Sequence, residues 1–350
     1  MIYYVTTERF TSPIRKMLRG LRDELRGVLR SLTYEELLFE RAGPIGHYIF
    51  TDFDRLTRYE LECTAAFVAA LRNVAPDARI LNHPLQALER LALLIALHDA
   101  GINNFTAMRI DEGRRPTKYP VFIRAEDGYG GPETDILHDA AAYDAALADL
   151  VARGLPPKGR IAVGYAAERS ADGFFRKYGA FNVAGEIIPY HLMRGSTWVV
   201  KRHATESDFA VSLDCQYEQS APAVAEELAY VRDNPHRDAL ARAFAIAAID
   251  FGRADYGIVG GQMQVYEINT NPALSRFGVG DNRTERRLFL RDRFLKGFVA
   301  LNTPLSANGR VRFVDLRPRP HDVRWPRRRL VQSLARRIIG AALPSGSQDP

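Results

Sequence analysis

Cysteine is nearly missing from this chain: Cys63 and Cys215 are the only two in 350 residues. That is too few for a disulfide framework or a cysteine-built zinc centre, and both read as small buried residues in a reducing compartment. Nothing approaches the ~20 uninterrupted apolar residues that a bilayer-spanning helix needs, and the start, Met1-Ile2-Tyr3-Tyr4, has no secretory pattern. The expectation is a soluble protein kept in the cytoplasm. Histidine is sparse as well, and neither His191 nor His203 has a second His or Cys at metal-ligand spacing. An acidic balance is lacking too: the net charge is +6. Much of the excess sits in Arg15, Lys16, Arg19, Arg22, Arg26 and Arg30, and in an Arg/Pro-rich stretch from Arg310 to Arg337. Such basic ends could meet nucleic acid, a lipid surface or an acidic substrate. A solvated helix face and a soluble tail are favoured over that.

The chain is long enough for two or three domains with real cores, and one stretch organises the reading: Asp255 to Pro272. Two partly alternating apolar runs flank Gly260-Gly261-Gln262, the pattern of two antiparallel strands joined by a tight turn. With those three residues as the loop, Val259 faces Met263 and Asp255 faces Glu267. Asn269 shares the face of Glu267, because side chains alternate along a strand. Like charges opposite each other on a sheet are destabilising. An acid pair placed this way makes sense around a cation, and oxygen ligands suit Mg²⁺ held together with phosphates.

At Asp255, Glu267, Asn269 and Pro272 the sequence resembles the ATP-grasp superfamily, whose nucleotide domain closes with a hairpin of the form Asp, about a dozen residues, then Glu-x-Asn-x-x-Pro. The similarity is to glutathione synthetase, D-alanine:D-alanine ligase and ribosomal-protein glutamate ligases, over roughly residues 45 to 300. It implies an α/β (α+β) fold: an N-terminal parallel α/β domain, then two α+β lobes that hold ATP between them. The implied domains are residues 1–100, a small lobe at 101–160 with a glycine-rich loop, a large lobe at 161–303 with the hairpin, and a basic tail at 304–350.

Other site residues follow from the resemblance. Counting back from Gly101, Arg90 stands where the family has a phosphate-contacting lysine, and Arg124 stands in place of a second one on a strand before the loop Gly128-Tyr129-Gly130-Gly131. Arginine offers a planar fork where lysine offers a point charge, and glycines let backbone amides point inward together over phosphates. Val163 to Glu168 would contact adenine and ribose. Arg194 would face the γ-phosphate and the developing acyl phosphate, where spread negative charge calls for a fixed cation. Asp255, Glu267 and Asn269 would hold Mg²⁺, with Mn²⁺ as an alternative.

The coarse element order supports this layout. Ile2 to Thr6 reads as a strand, and Ser12 to about Leu32 as a basic helix with Ile14, Leu18, Leu21, Leu25, Val28 and Leu29 on its buried face. Strands at His47 to Phe50 and Arg79 to Asn82 flank a helix from Leu56 to Val74, the start of a parallel α/β unit. A helix entered at Asn82-His83-Pro84 would bury Leu85, Leu88, Ala92, Ile95 and Ala96. Phe174 to Val183 and Glu186 to Arg194 read as antiparallel strands around Ala184-Gly185. Pro222 to Val231 and Arg237 to Phe251 read as helices, the second placing Leu240, Phe244, Ala247 and Phe251 on one face. A loop over 274–283 would border substrate, a helix over 286–299 would close the domain, and Arg327 to Ala342 would form a basic amphipathic helix. The implied activity is ATP-dependent joining of a small-molecule or peptide carboxylate to an amine through an acyl phosphate, releasing ADP and phosphate. The alternatives are a kinase on the same fold and a non-catalytic nucleotide-binding protein whose basic ends engage an anionic partner.

Overall fold

The computed structural model describes residues 1–127, 130–200, 217–272 and 284–313. Gly128, Tyr129, His203, Cys215, the loop over 274–283 and the basic segment past Phe313, with the helix expected in it, lie outside the described residues. Every lobe described here belongs to one compact unit, Met1–Phe313. Among the described residues no helix is long and apolar enough to cross a membrane.

The first lobe is built on strands β1 (Ile2–Thr6), β2 (Leu29–Thr33), β3 (Ala42–Pro44), β4 (His47–Phe50) and β5 (Ile80–Leu81). Four of them make a parallel sheet in the order β2-β1-β4-β5. Every residue of β1 and β4 is buried, as expected of parallel strands covered on both faces. The basic helix is shorter than its periodicity implies: it spans Ser12–Gly20, and Leu29 opens β2 instead of closing a helix. Gly20 ends it, and Gly27 at φ 75° turns the chain toward the sheet. Ile14, Leu21 and Leu25 are still buried, so the apolar positions hold on a different backbone. The helix Arg58–Val74 starts where Thr57 and Glu60 form a reciprocal capping box.

The helix expected from Asn82 onward starts only at Arg90 and runs to Asp99. The segment before it is held in turns, with the Leu88 amide donating to the carbonyl of Ala247. The expected apolar face therefore fails: Leu85 and Ile95 are exposed, and Leu91, Leu93, Leu94 and Leu97 are buried. Asn82 itself ties two lobes together. Its amide nitrogen donates to the carbonyls of Phe50 and Phe251, and its oxygen accepts from the amides of Asp250 and Phe251.

The small lobe holds β6 (Ala107–Arg109), β7 (Val121–Ala125) and β8 (Arg160–Gly164), antiparallel in the order β6-β8-β7. The helix Ala140–Ala152, capped by Asp139, packs on it through Tyr143 and Leu150. The large lobe holds β9 (Phe175–Val183), β10 (Glu186–Gly195), β11 (Phe251–Val259) and β12 (Gln262–Asn269), antiparallel in the order β10-β9-β11-β12. The helix expected to reach Phe251 stops at Ala247; Ala248 takes a left-handed turn at φ 52°, and Phe251 begins β11. Leu240, Phe244 and Ala247 do bury against the sheet core.

The chain then returns to the first lobe. After the helix Thr284–Leu301, β13 (Arg310–Arg312) pairs with β3, and Val311 and Phe313 enter the core beside Phe67. The boundary drawn at residue 304 is thus too early, because composition alone hides two buried side chains among the arginines. Burying an aliphatic or aromatic side chain contributes about 1.5–3 kcal/mol. A chain ended at Thr303 should therefore be less stable than one ended at Phe313 by roughly 3–6 kcal/mol, read from urea melts of the two; equal midpoints would show that β13 adds nothing.

Candidate active site

The hairpin β11–β12 forms, with a different turn from the one read in sequence. Gly260 and Gly261 are the two turn residues, at φ 55° and 78°, the positive pair that a two-residue turn of this hand requires. Val259 faces Gln262, not Met263, so the register near the turn is one residue off the expectation. A bulge restores it: Tyr256 pairs with Val265, Asp255 pairs with Glu267, and Tyr266 is the extra residue. The Tyr266 hydroxyl donates to the carbonyl of Ala166 at 2.9 Å. A Cβ on Gly257 would stand 2.1 Å from that hydroxyl, so only glycine lets the ring pass.

Asp255 and Glu267 face each other as the alternation implies, but they are not held apart by need of a metal. Each has its own cations. Asp255 accepts from Arg253 at 2.6 and 3.1 Å and pairs with Lys177 at 2.8 Å. Glu267 accepts from Arg90 at 2.7 Å, with Arg124 at 3.9 Å. Burial alone would raise the Glu267 carboxyl, yet the Arg90 and Arg124 guanidiniums outweigh it and hold it down at about 2. Asp255 is likewise pulled below the usual carboxylate range, with Arg253 and Lys177 overcoming burial. Burial and the neighbouring Arg90 bring Arg124 down to about 10. Arg90 also donates to the carbonyl of Glu126 at 2.5 Å, while the Glu126 carboxylate turns away to Arg109.

Asp255, Glu267, Arg90, Arg124 and Lys177 line a cavity of about 160 Å³ between the small-lobe and large-lobe sheets. Leu94, Phe105, Phe122, Val163, Tyr165, Trp198 and Tyr266 form its apolar lining. Trp198 packs against Phe122 and Tyr165, with ring centres 5.1 and 5.7 Å away. Gly131 and Glu168 also line it, and the Glu168 carboxylate accepts from the amide of Gly260 at 2.6 Å. Flat apolar walls and surplus positive charge suit a molecule with an aromatic ring and an anionic tail.

Not every expected site residue is gathered there. Gly130 is not among the lining residues, and Asn269 lines a smaller neighbouring cavity together with Arg90 and Glu267. Arg194 does not line the cavity either: it pairs with Glu218, Glu226 and Asp172 and lies over the Phe174 ring. Its direct cross-strand partner Arg176 borders the cavity, but its guanidinium lies on the same face as that of Arg194, paired with Asp172 and Glu226. The sequence reading missed Arg176, Lys177, Arg253 and Trp198. Lys177 and Arg253 follow only from knowing that β9 lies beside β11, which no local pattern states.

Among the described residues no three His, Cys, Asp or Glu side chains gather as a metal cluster. The buried Asp255 carboxylate and the partly buried Glu267 carboxylate opposite it, with the Asn269 amide oxygen, are nonetheless oxygen donors of the type Mg²⁺ takes.

No family model and no curated protein matches the chain. Solved structures do. One is a D-alanine–D-alanine ligase from Bacillus anthracis complexed with ATP, at 10% identity over 86% of this chain and 95% of that one, with a TM-score of 0.47. Another is the D-cycloserine synthetase DcsG, at 18% over 84% and 99%, TM-score 0.47. A third is the ATP-grasp ligase PsnB complexed with minimal precursor, Mg and ADP, at 12% over 86% and 98%, TM-score 0.49. At such identities and scores these likenesses decide nothing about chemistry here.

The ion pairs reverse one expectation drawn from the sequence. Repulsion between facing acids, taken alone, would mean that removing the Glu267 charge in the absence of metal leaves stability unchanged or raised. With Arg90 and Arg124 already on that carboxylate, Glu267→Gln should instead destabilise the protein in EDTA by roughly 1.5–3 kcal/mol, the scale of a hydrogen bond to a charged group. Thermal or urea melts in EDTA check it; an unchanged or raised midpoint would mean that carboxylate repulsion dominates.

Proposed function

We propose that this chain is an ATP-grasp ligase that uses ATP to join a carboxylate to an amine. The observation that carries the reading is a cavity between two antiparallel sheets whose lining combines aromatic side chains with cations and two opposed carboxylates. In this reading Phe122, Tyr165, Trp198 and Tyr266 enclose the adenine, the segment Val163 to Glu168 supplies contacts to the base edge and ribose, and Gly131 belongs to a loop, with Gly128, Tyr129 and Gly130, that covers the phosphates.

Arg90 and Arg124 then exchange part of their hold on Glu267 for phosphate oxygens, which keeps positive charge fixed where the phosphates lie. Asp255, Glu267 and Asn269 are the residues that would hold Mg²⁺. Bound there, the ion would neutralise phosphate charge and orient the transferring group. Lys177, beside Asp255, would stabilise the phosphoryl group as it moves to the carboxylate; Arg176, next to it on β9, points to the other face and shares Asp172 and Glu226 with Arg194, so neither of those arginines takes the role expected of Arg194. The acyl phosphate so formed is attacked by the amine, and ADP and phosphate leave. Positioning and charge neutralisation, not a dedicated base, are what these side chains offer.

Trp198 lines the cavity and is one of two tryptophans. ATP with Mg²⁺ should change its fluorescence and raise the melting temperature, since a ligand at ~100 times its dissociation constant adds ~2.7 kcal/mol. Arg124→Ala should weaken ATP by about tenfold, the worth of a charge-assisted contact of 1.5 kcal/mol or so. ADP release should need both a carboxylate and an amine from mixed pools, and hydroxylamine should yield hydroxamates, which a kinase making a stable phosphate ester would not give. No response to millimolar Mg²⁺–ATP would sink the proposal.

A further inference from the structure

In the order β2-β1-β4-β5 the chain leaves β1 toward one edge and β4 toward the other. The crevice beyond the C-terminal ends of β1 and β4 is where open parallel sheets take ligands. Here a side chain of the protein fills it. Asn271, two residues past β12, is 5% exposed, and its amide nitrogen lies 3.0 and 3.1 Å from the two carboxylate oxygens of Asp52, 3.1 Å from the Thr6 hydroxyl and 3.0 Å from the Phe10 carbonyl. Its oxygen accepts from the Tyr4 hydroxyl at 2.9 Å.

Asp52 is the centre of this set. It is fully buried and takes a left-handed backbone at φ 59° just after β4, a conformation that costs energy outside glycine and persists where surroundings enforce it. Arg55 supplies its counter-charge at 2.8 Å, the Thr7 amide donates to it at 3.2 Å, and its own amide donates to the Thr270 hydroxyl at 3.1 Å. The link onward is short. The backbone amide of Asn271 donates at 2.8 Å to the side-chain oxygen of Asn269, next to Glu267 on the cavity side of β12.

We propose that Asp52 is a positioning residue: through Asn271 it fixes the amide oxygen of Asn269 and the end of β12, so that the N-terminal sheet sets the geometry of the metal-binding edge of the cavity. This rests on the nucleotide reading above, because Asn269 has a chemical task only there. A side chain with one hydrogen bond would leave the end of β12 free to swing. An amide held from several sides does not, and orienting partners of this kind are typically worth 10–100-fold in metal affinity when removed.

Two variants and two measurements test it. In ligand-free protein, Asn271→Ala should speed amide hydrogen exchange over residues 267–271 by about tenfold or more, with the turn at 257–263 unchanged, as a local opening does. In Mg²⁺ titrations at fixed ATP, followed by Trp198 fluorescence, the same variant should need about tenfold more Mg²⁺ for half the response, with ATP binding in EDTA unchanged. Asp52→Asn keeps the shape and one acceptor oxygen, so it should shift both readouts in the same direction by less, and it carries the comparison if Asn271→Ala does not fold. A lowered melting temperature with unaltered exchange at 267–271, or with unaltered Mg²⁺ half-saturation, would overturn the proposal and leave a purely structural plug. A wild-type protein that shows no Mg²⁺-dependent response would bring down the nucleotide reading instead, and the exchange experiment alone would then decide whether Asp52 governs the end of β12.

Discussion

A buried carboxylate facing a partly buried one across a strand pair is costly, since burial penalises the charges and each repels the other. Asp255 and Glu267 persist because four cations reach them from four different elements: Arg90 from the first turn of a helix, Arg124 from β7, Lys177 from β9 and Arg253 from β11 itself. The small-lobe and large-lobe sheets are thereby joined through charge at the cavity between them. Four cations against two acids leave a positive surplus, which is what an anionic ligand needs.

The apolar lining depends on a backbone irregularity. The bulge at Tyr266 rotates its ring into the cavity toward Ala166, and Gly257 leaves the space the ring passes through. The same bulge brings Asp255 back opposite Glu267 after the tight glycine turn has moved the register by one. One inserted residue thus both places Tyr266 in the apolar lining and sets Asp255 opposite Glu267. Asn82 and Asn271 connect this hairpin to the parallel sheet, each by an amide whose donor and acceptor sides are both used. Buried amides satisfied in this way hold lobes in a fixed relation at little cost in polarity.

The acid pair was legible because alternation along a strand is a covalent fact, and a count from a glycine turn carries it several residues. The count was right for a partly wrong reason: a loop assumed one residue too long and a bulge not foreseen cancelled. Where a helix was extended through glycine, as past Gly20, or through a segment pinned from outside, as before Arg90, periodicity persisted beyond the hydrogen bonds that would have made it real. Arg194 shows the same limit in a site residue. Its strand was identified, but not which face of that strand meets the cavity: Arg194 and its direct cross-strand partner Arg176 both turn to Asp172 and Glu226.

By itself the sequence determined the local elements: the strands, their alternating faces, most helices, and the hairpin with its opposed acids. Those follow from backbone sterics and from side-chain spacing of two or 3.6 residues, which act over a few residues only. Tertiary structure alone decided which cations meet the acids, that β13 returns to cover Phe67, and that Asn271 fills the end of the parallel sheet. Each joins residues far apart in the chain, some of them by more than 200 positions. Such pairings are set by how whole sheets pack to bury apolar surface and satisfy buried polar groups, and no short-range pattern encodes that outcome.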